Sequence, residues 1–353
     1  MRGATARDRL ISILPVLIGF FGLMAVGALF PRFARVLDLA LPFFGLIGLG
    51  YICGRLFDFG EEGLAWINVL IVYVALPCMF FVLISKTPLH ELLNFRFVVC
   101  TAGATILAYA MAFFVGMKAS DGNIPEATIQ ANAGGYANIG YMGPGLTLAT
   151  LGAGAAAPVA LIFAADTIFL FSALPLLMAV GRGEGMGLVR TIGDAFVKIV
   201  THPFNIATAI AVAAAAFAWQ PPPAIGKMAT MMSGAAAPSA LFALGVTVAV
   251  RPIKRVAPEL PILLFIKLIA HPLIVYLLLS TVGGFDRVWT FTAVLMASLP
   301  PALNVFVMAS QYRVYVERAS SAILFGTLAS VVTVTGLLWL ISNDMLPVSL
   351  FPG

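Results

Sequence analysis

Residues 132–152 read NAGGYANIGYMGPGLTLATLG, from Asn132 to Gly152. They lie in a 39-residue run without a formal charge, bounded by Glu126 and Asp166. That run is too long for one membrane helix and suits two, because about 20 apolar residues cross a bilayer. Its first half is crowded with residues that interrupt helices. Six glycines and Pro144 fall in the interval from Gly134 to Gly152, with Asn138 among them. Glycine weakens a helix interior by roughly 1 kcal/mol and proline by about 3 kcal/mol. Irregular backbone at membrane depth survives only where protein or a water-filled cavity satisfies its polar groups. Two readings follow: a discontinuous helix at a transport site, or a kinked structural helix whose glycines permit close packing.

Composition sets the class. Of 353 residues, 61% are hydrophobic and 10% charged, with a mean hydropathy of +1.04. Soluble chains carry about 25% charged residues, so this is a polytopic, all-α membrane protein. The net charge of +5 does not argue for nucleic acid. Its positive residues are scattered between apolar runs, as in proteins oriented by their loops. Cys53, Cys78 and Cys100 sit in or at apolar spans without disulfide or zinc spacing and read as small buried hydrophobes. No cofactor or metal site is implied.

An apolar run between Arg9 and Arg32, preceded by Arg2 and Arg7, exceeds the roughly 7–15 residues of a signal h-region. It reads as a retained extra transmembrane helix within 1–35. Ten further spans are expected near 39–55, 63–85, 97–117, 128–152, 157–180, 200–219, 228–250, 259–280, 288–312 and 319–342. Asp38 and Arg55 are placed at the interfaces of the first. With the N-terminus cytoplasmic, thirteen Lys and Arg fall in inner loops and six in outer ones, Lys267 being intramembrane. This asymmetry predicts a cytoplasmic N-terminus and an external C-terminus.

The spans fall into two sets of five. Pro42-Phe43 and Pro203-Phe204 open the first and sixth, 161 residues apart. ALPCMFF from Ala75 and AAPSALF from Ala236 repeat that offset in the second and seventh. An odd number of spans per unit makes the repeat inverted. The units are 36–181 and 200–343, joined by a basic amphipathic linker at 182–199 and followed by a tail at 344–353. The fourth span then corresponds to the ninth, which carries SLPPALN from Ser298 to Asn304 with Pro300 and Pro301 adjacent. Paired interruptions in corresponding spans point to a binding site.

At these residues the chain resembles the auxin efflux carrier family, which includes plant auxin exporters and bacterial carriers, some assigned to malonate or malate. The resemblance rests on Asn138-Ile-Gly140-Tyr-Met-Gly143, similar to the family's N-x-G-x-x-G run, and on Pro301-Ala-Leu-Asn304-Val-Phe-Val-Met-Ala309. It covers about residues 36–343. Relatives often carry G-x-P, whereas Pro144 directly follows Gly143 here. The resemblance implies the ten-helix fold shared with bile acid:sodium symporters, two broken helices crossing near the midplane, and organic-anion transport.

The expected substrate site gathers Asn138, Gly140, Tyr141, Gly143, Pro144, Pro300, Pro301 and Asn304. Asparagine amides can replace missing backbone partners, and half-helix N-termini offer N–H groups to an anion. Asp166 and Lys267 are the two formal charges deep within spans, where each costs about 2.5–3.5 kcal/mol on insertion scales. They serve ion coupling, or pair with each other structurally. His271, four residues after Lys267, shares its helical face and is a candidate proton relay, since histidine as a residue type titrates near neutrality. His90 and His202 read as loop or interface residues. No P-loop is present. The expected function is therefore a secondary carrier in a bacterial inner membrane. A proton or sodium ion is the expected coupling partner, and a homodimer is compatible. A channel or sensor on the same fold, or an intramembrane enzyme, is the alternative; Asp166 has no second aspartate, and no H-E-x-x-H run is present.

Overall fold

The computed structural model describes residues 31–57, 61–182, 193, 196–197, 200–250 and 256–351. The expected extra N-terminal helix lies outside the described residues, apart from positions 31–35, and so does most of the 182–199 linker. The described residues are helical, with no strand among them. In chain order the helices are α1 (Pro31–Leu56), α2 (61–84), α3 (Phe95–Ala119), α4 (Ile124–Gly135), α5 (Gly143–Leu151) and α6 (Ala156–Arg182). They continue as α7 (Pro203–Ala216), α8 (Pro223–Val250), α9 (260–282), α10 (Arg287–Ser298), α11 (Asn304–Tyr312) and α12 (Val316–Ser342). Among the described residues six helices are long and apolar enough to cross a membrane: α2, α3, α6, α8, α9 and α12. Shorter apolar helices lie at Ala40–Leu56, within α1, and at Pro203–Ala216. The pairs α4/α5 and α10/α11 are interrupted helices of 12 and 9 residues each.

Local chemistry explains the irregularities. Both α2 and α9 widen into a π-turn, Ile71–Ala75 and Ile266–Ala270, two residues before Pro77 and Pro272. A proline cannot donate to the carbonyl four residues back, and a π-bulge redistributes the bonds around that gap. Within the described residues helix α1 already runs from Pro31, eight residues before the hydropathy boundary. Asp38 is exposed on its surface rather than ending it.

Small residues set how closely helices approach. A Cβ built on Gly50 of α1 would overlap the Phe242 carbonyl of α8, and one on Gly245 of α8 would overlap Ile47 of α1. These two glycines let the backbones touch, as small residues do between membrane helices. The principal hydrophobic cluster runs from α1 through α12 and includes Phe80, Phe97, Phe204 and Phe291, each almost fully buried. Beyond α12 the chain turns back over α9: the Tyr276 hydroxyl donates to the Pro347 carbonyl, and Leu350 N donates to Ser280 Oγ at 3.1 Å.

Candidate functional site

The two interruptions meet. Between α4 and α5 the backbone is extended at Tyr136, and between α10 and α11 it is extended at Leu299. Ala137 and Pro301 form an antiparallel bridge. Asn138 N donates to the Pro300 carbonyl at 2.8 Å, and Ala302 N donates to the Tyr136 carbonyl at 3.2 Å. Pro300 and Pro301 have no N–H, so Ala302 is the first residue after them that can donate. Each break therefore satisfies backbone groups that the other exposes, which low-dielectric surroundings demand.

The backbone is extended at Tyr136 and turns from Ile139, whose N donates to the Ala137 carbonyl at 2.7 Å, and the 136–140 segment divides two spaces. Tyr136, Asn138 and Gly140 line a cavity of about 100 Å³; Ala137 and Ile139 line a much smaller void behind. Val72 and Leu76 of α2, Phe163, Thr167 and Phe171 of α6, Phe204 of α7 and Asn304 of α11 complete the larger cavity. His202, the residue before α7, also lines it and stacks at 5.4 Å from the Phe171 ring.

The larger cavity has a particular polar chemistry. Both amide atoms of Asn138, Thr167 Oγ1 and His202 Nδ1 are buried without a hydrogen-bond partner. The Tyr136 hydroxyl lies against the Asn304 amide, and the Tyr141 hydroxyl donates to Asn68 Oδ1 at 3.2 Å. Asn304 is the first residue of α11, so the partly positive N-terminal end of that helix lies beside these side chains, with Val305 N and Phe306 N donating back to the Ala302 and Leu303 carbonyls at 3.1 Å. The aromatic rings of Phe163, Phe171 and Phe204 supply an apolar wall.

Gly143, Pro144, Pro300 and Pro301 are not among the cavity-lining residues. Pro144 lies in the first turn of α5, where a proline is tolerated, so the break precedes it, spanning 136–142. A Cβ on Gly143 would meet Met296 of α10. Pro301 packs on Gly326 of α12. These residues shape the crossing, while Asn138, Gly140, Tyr141 and Asn304 face the cavity. The α5 N-terminus does not line it, so one half-helix tip reaches the cavity rather than two.

Asp166, Lys267 and His271 gather behind the crossing. Lys267 Nζ donates to the Ala297 carbonyl, near the end of α10, at 2.5 Å, and lies 3.0 Å from His271 Nδ1. His271 Nε2 lies 3.3 Å from Thr105 Oγ1 of α3, and the Asp166 carboxyl sits against that hydroxyl. Asp166 and Lys267 form no direct ion pair; Thr105 and His271 stand between them. A third buried charge, Glu259, occupies the start of α9 and accepts from the Tyr315 hydroxyl at 2.5 Å. Burial, together with the Glu259 carboxylate, pushes the Tyr315 hydroxyl above its ordinary range.

Tyr136, Thr167, His202 and Thr105 belong to these two clusters and were not among the residues expected from sequence. A threonine inside an apolar helix carries no pattern of its own, because its hydroxyl can bond the preceding turn. His202 stands next to the Pro203-Phe204 pair that marks a helix start, which suggests an interface role and conceals its contact with the cavity. Among the described residues no group of His, Cys, Asp and Glu is arranged to hold a metal ion.

The membrane transport protein family model matches residues 36–338. A Rhizobium meliloti (strain 1021) protein named "Putative malonate transporter" is 46% identical over 326 residues, covering 90% of this chain and 100% of that protein. An "Uncharacterized transporter" of Methanothermobacter thermautotrophicus is 26% identical, covering 81% of this chain and 91% of its own. The "Uncharacterized transporter YfdV" of Escherichia coli (strain K12) is also 26% identical, at 83% and 93% coverage. The chain belongs to the membrane transport protein family, the auxin efflux carrier group to which the Asn138 and Asn304 motifs point. It is an integral membrane protein of a transporter family, and nothing in these likenesses indicates catalysis.

Proposed function

We propose that the protein is a secondary carrier of a small carboxylate, held in the cavity beside the crossing and released to alternate sides of a bacterial inner membrane. The observation that carries this reading is the set of unpartnered polar atoms on that cavity: the Asn138 amide, Thr167 Oγ1 and His202 Nδ1. Native proteins leave very few buried polar groups unpaired, and a ligand rich in acceptors and donors would satisfy these. The cavity, at about 100 Å³, is well below the roughly 300–1,000 Å³ of drug-sized pockets, which favours a substrate of few carbons. The 46% identical relative is named for malonate, a dicarboxylate of that size. One carboxylate would rest on Asn138, Asn304 and the α11 N-terminus, and the other toward Thr167 and His202.

The long helices, the two shorter apolar ones and the two interrupted pairs make ten spans, read as two inverted units of five at 36–181 and 200–343. Three features support the repeat. Helix α1 packs on α8 and α7 packs on α2, as equivalent pairs should. Asn123 caps α4 through Glu126 N and Asp286 caps α10 through Trp289 N, at the same point of each unit. The interruptions then fall at matching places. In this arrangement α1, α2, α7 and α8 form one bundle and the crossing helices belong to the other. The cavity lies between them, where rocking of one bundle against the other exposes it to either side. Asp166, Lys267 and His271 couple an ion to that motion.

Counterflow in proteoliposomes, with malonate and a panel of mono- and dicarboxylates, tests the reading. Saturable uptake accelerated by substrate inside supports a carrier. Uptake that neither saturates nor shows counter-transport replaces it with a channel.

A further inference from the structure

The polar cluster behind the crossing has a fixed hydrogen-bond direction. An ammonium group has three donors and no acceptor. Lys267 spends one on the Ala297 carbonyl at 2.5 Å and directs another to His271 Nδ1 at 3.0 Å. With Nδ1 accepting, the neutral imidazole carries its hydrogen on Nε2. Nε2 faces Thr105 Oγ1 at 3.3 Å, so that oxygen accepts, and its own hydrogen is free to point to the Asp166 carboxylate lying against it. The chain thus runs in one direction from α9 through α3 to α6, the donor of each group directed at the next. The adjoining void of about 10 Å³, lined by Thr105, Asp166 and His271, has room for about one water. Two further titratable groups lie near the cluster: Tyr109, one turn along α3 from Thr105, and Tyr136, on the cavity side of the 136–140 segment. Tyr136 senses Asp166, and Tyr109 accepts from Asn132 on the face of α3 that carries Thr105.

We propose that Lys267, His271, Thr105 and Asp166 form the binding site and transfer path of a coupling proton, with Thr105 as its indispensable link. The inference rests on the carrier reading and names the ion for it. In one step the Lys267 ammonium gives a proton to His271 Nδ1, His271 gives its Nε2 proton to Thr105 Oγ1, and Thr105 gives its hydroxyl proton to Asp166. The ends become a neutral amine and a neutral carboxylic acid, the imidazole changes tautomer, and the hydroxyl is regenerated. When a further proton enters, Asp166 stays protonated, Lys267 stays charged, and the chain holds one positive charge. The 136–140 segment and the Asp166–Thr167 step of α6 lie between that charge and the cavity: Ala137, Ile139 and Asp166 line the cluster side, and Tyr136, Asn138, Gly140 and Thr167 line the substrate side. Charges separated by one backbone thickness in a poorly solvated interior interact strongly. Anion and proton therefore promote each other's binding, reciprocally, and the carrier moves both in the same direction.

Thr105→Val keeps the branched shape and removes the link; Thr105→Ser restores the hydroxyl. In malonate-loaded proteoliposomes the measured quantity is net uptake driven by an inward proton gradient, divided by exchange at equal pH. The ratio should fall about ten-fold or more in T105V, the smaller end of what a placed proton-transfer group supplies, and return in T105S. An unchanged ratio in T105V, or a T105S variant as deficient as T105V, overturns the path. Infrared spectroscopy of the purified protein provides an arm without substrate. Acidification should raise a protonated-carboxyl band that Asp166→Asn lacks and whose pH response changes in T105V; absence of that band refutes the proton site even if exchange proceeds. Failure of the unmodified protein to exchange any carboxylate would sink the carrier reading instead, with the infrared arm still deciding the path.

Discussion

Replacing Asn138 by alanine should move affinity and stability in opposite directions. The side chain is buried, and neither its oxygen nor its nitrogen has a protein partner. An unpaired buried polar group costs about 1–3 kcal/mol, so the empty protein loses nothing when the amide is removed and should be as stable or slightly more so. The amide already borders a cavity of about 100 Å³, so truncation enlarges an existing space and opens no new void in packed core. In the loaded state the same amide bonds a charged carboxylate, and such a bond contributes about 1.5–3 kcal/mol. Each 1.4 kcal/mol is about ten-fold, so Kd should rise roughly 10- to 150-fold. Binding of radiolabelled malonate to the purified protein gives the affinity, and its unfolding in detergent without substrate gives the stability. If N138A destabilises the empty protein while binding malonate as tightly as before, Asn138 is a structural residue of the crossing and the assignment is refuted. Asn304→Ala should weaken binding by a similar amount, since its amide stands beside Tyr136 at the N-terminus of α11.

Three further outcomes are expected. Gly245→Val forces a side chain onto the α1 backbone and should lower stability by about 1–3 kcal/mol or more, whereas Gly103→Val, which faces open space, should not; unfolding of the two variants side by side checks this. Lys267→Met should abolish proton-driven uptake and Asp166→Asn should alter the pH dependence of flux. Because Thr105 and His271 stand between those two residues, the double variant should not restore transport, and a rescued double variant would favour a simple structural pair. With Cys53, Cys78 and Cys100 replaced, Gly353→Cys should react with an impermeant thiol reagent from outside intact cells; labelling only after permeabilisation would reverse the topology.

Much of the fold was legible because lipid imposes rules that act on sequence directly. Apolar length gives spans, and interruptions are visible as Gly134 to Gly152 and as Pro300-Pro301, because uninterrupted helix is what hydrocarbon otherwise requires. The motifs around Asn138 and Asn304 identified the family for the same local reason. Asp166 and Lys267 stood out because a charge at membrane depth is costly. Tertiary structure decided which of these residues share a space. Whether Asn138 faces a cavity and Ile139 the opposite cluster depends on the backbone path at 136–140, which pairs at Tyr136 and Asn138 with Ala302 and Pro300 of the other break. Thr105 connects His271 to Asp166, and Thr167 and His202 reach the cavity, only because elements more than 30 residues apart in sequence are packed side by side. Hydropathy and interruption are properties of a segment and are written along the chain; the direction of a side chain and the identity of its neighbour are properties of packing, and they are settled only when the helices meet.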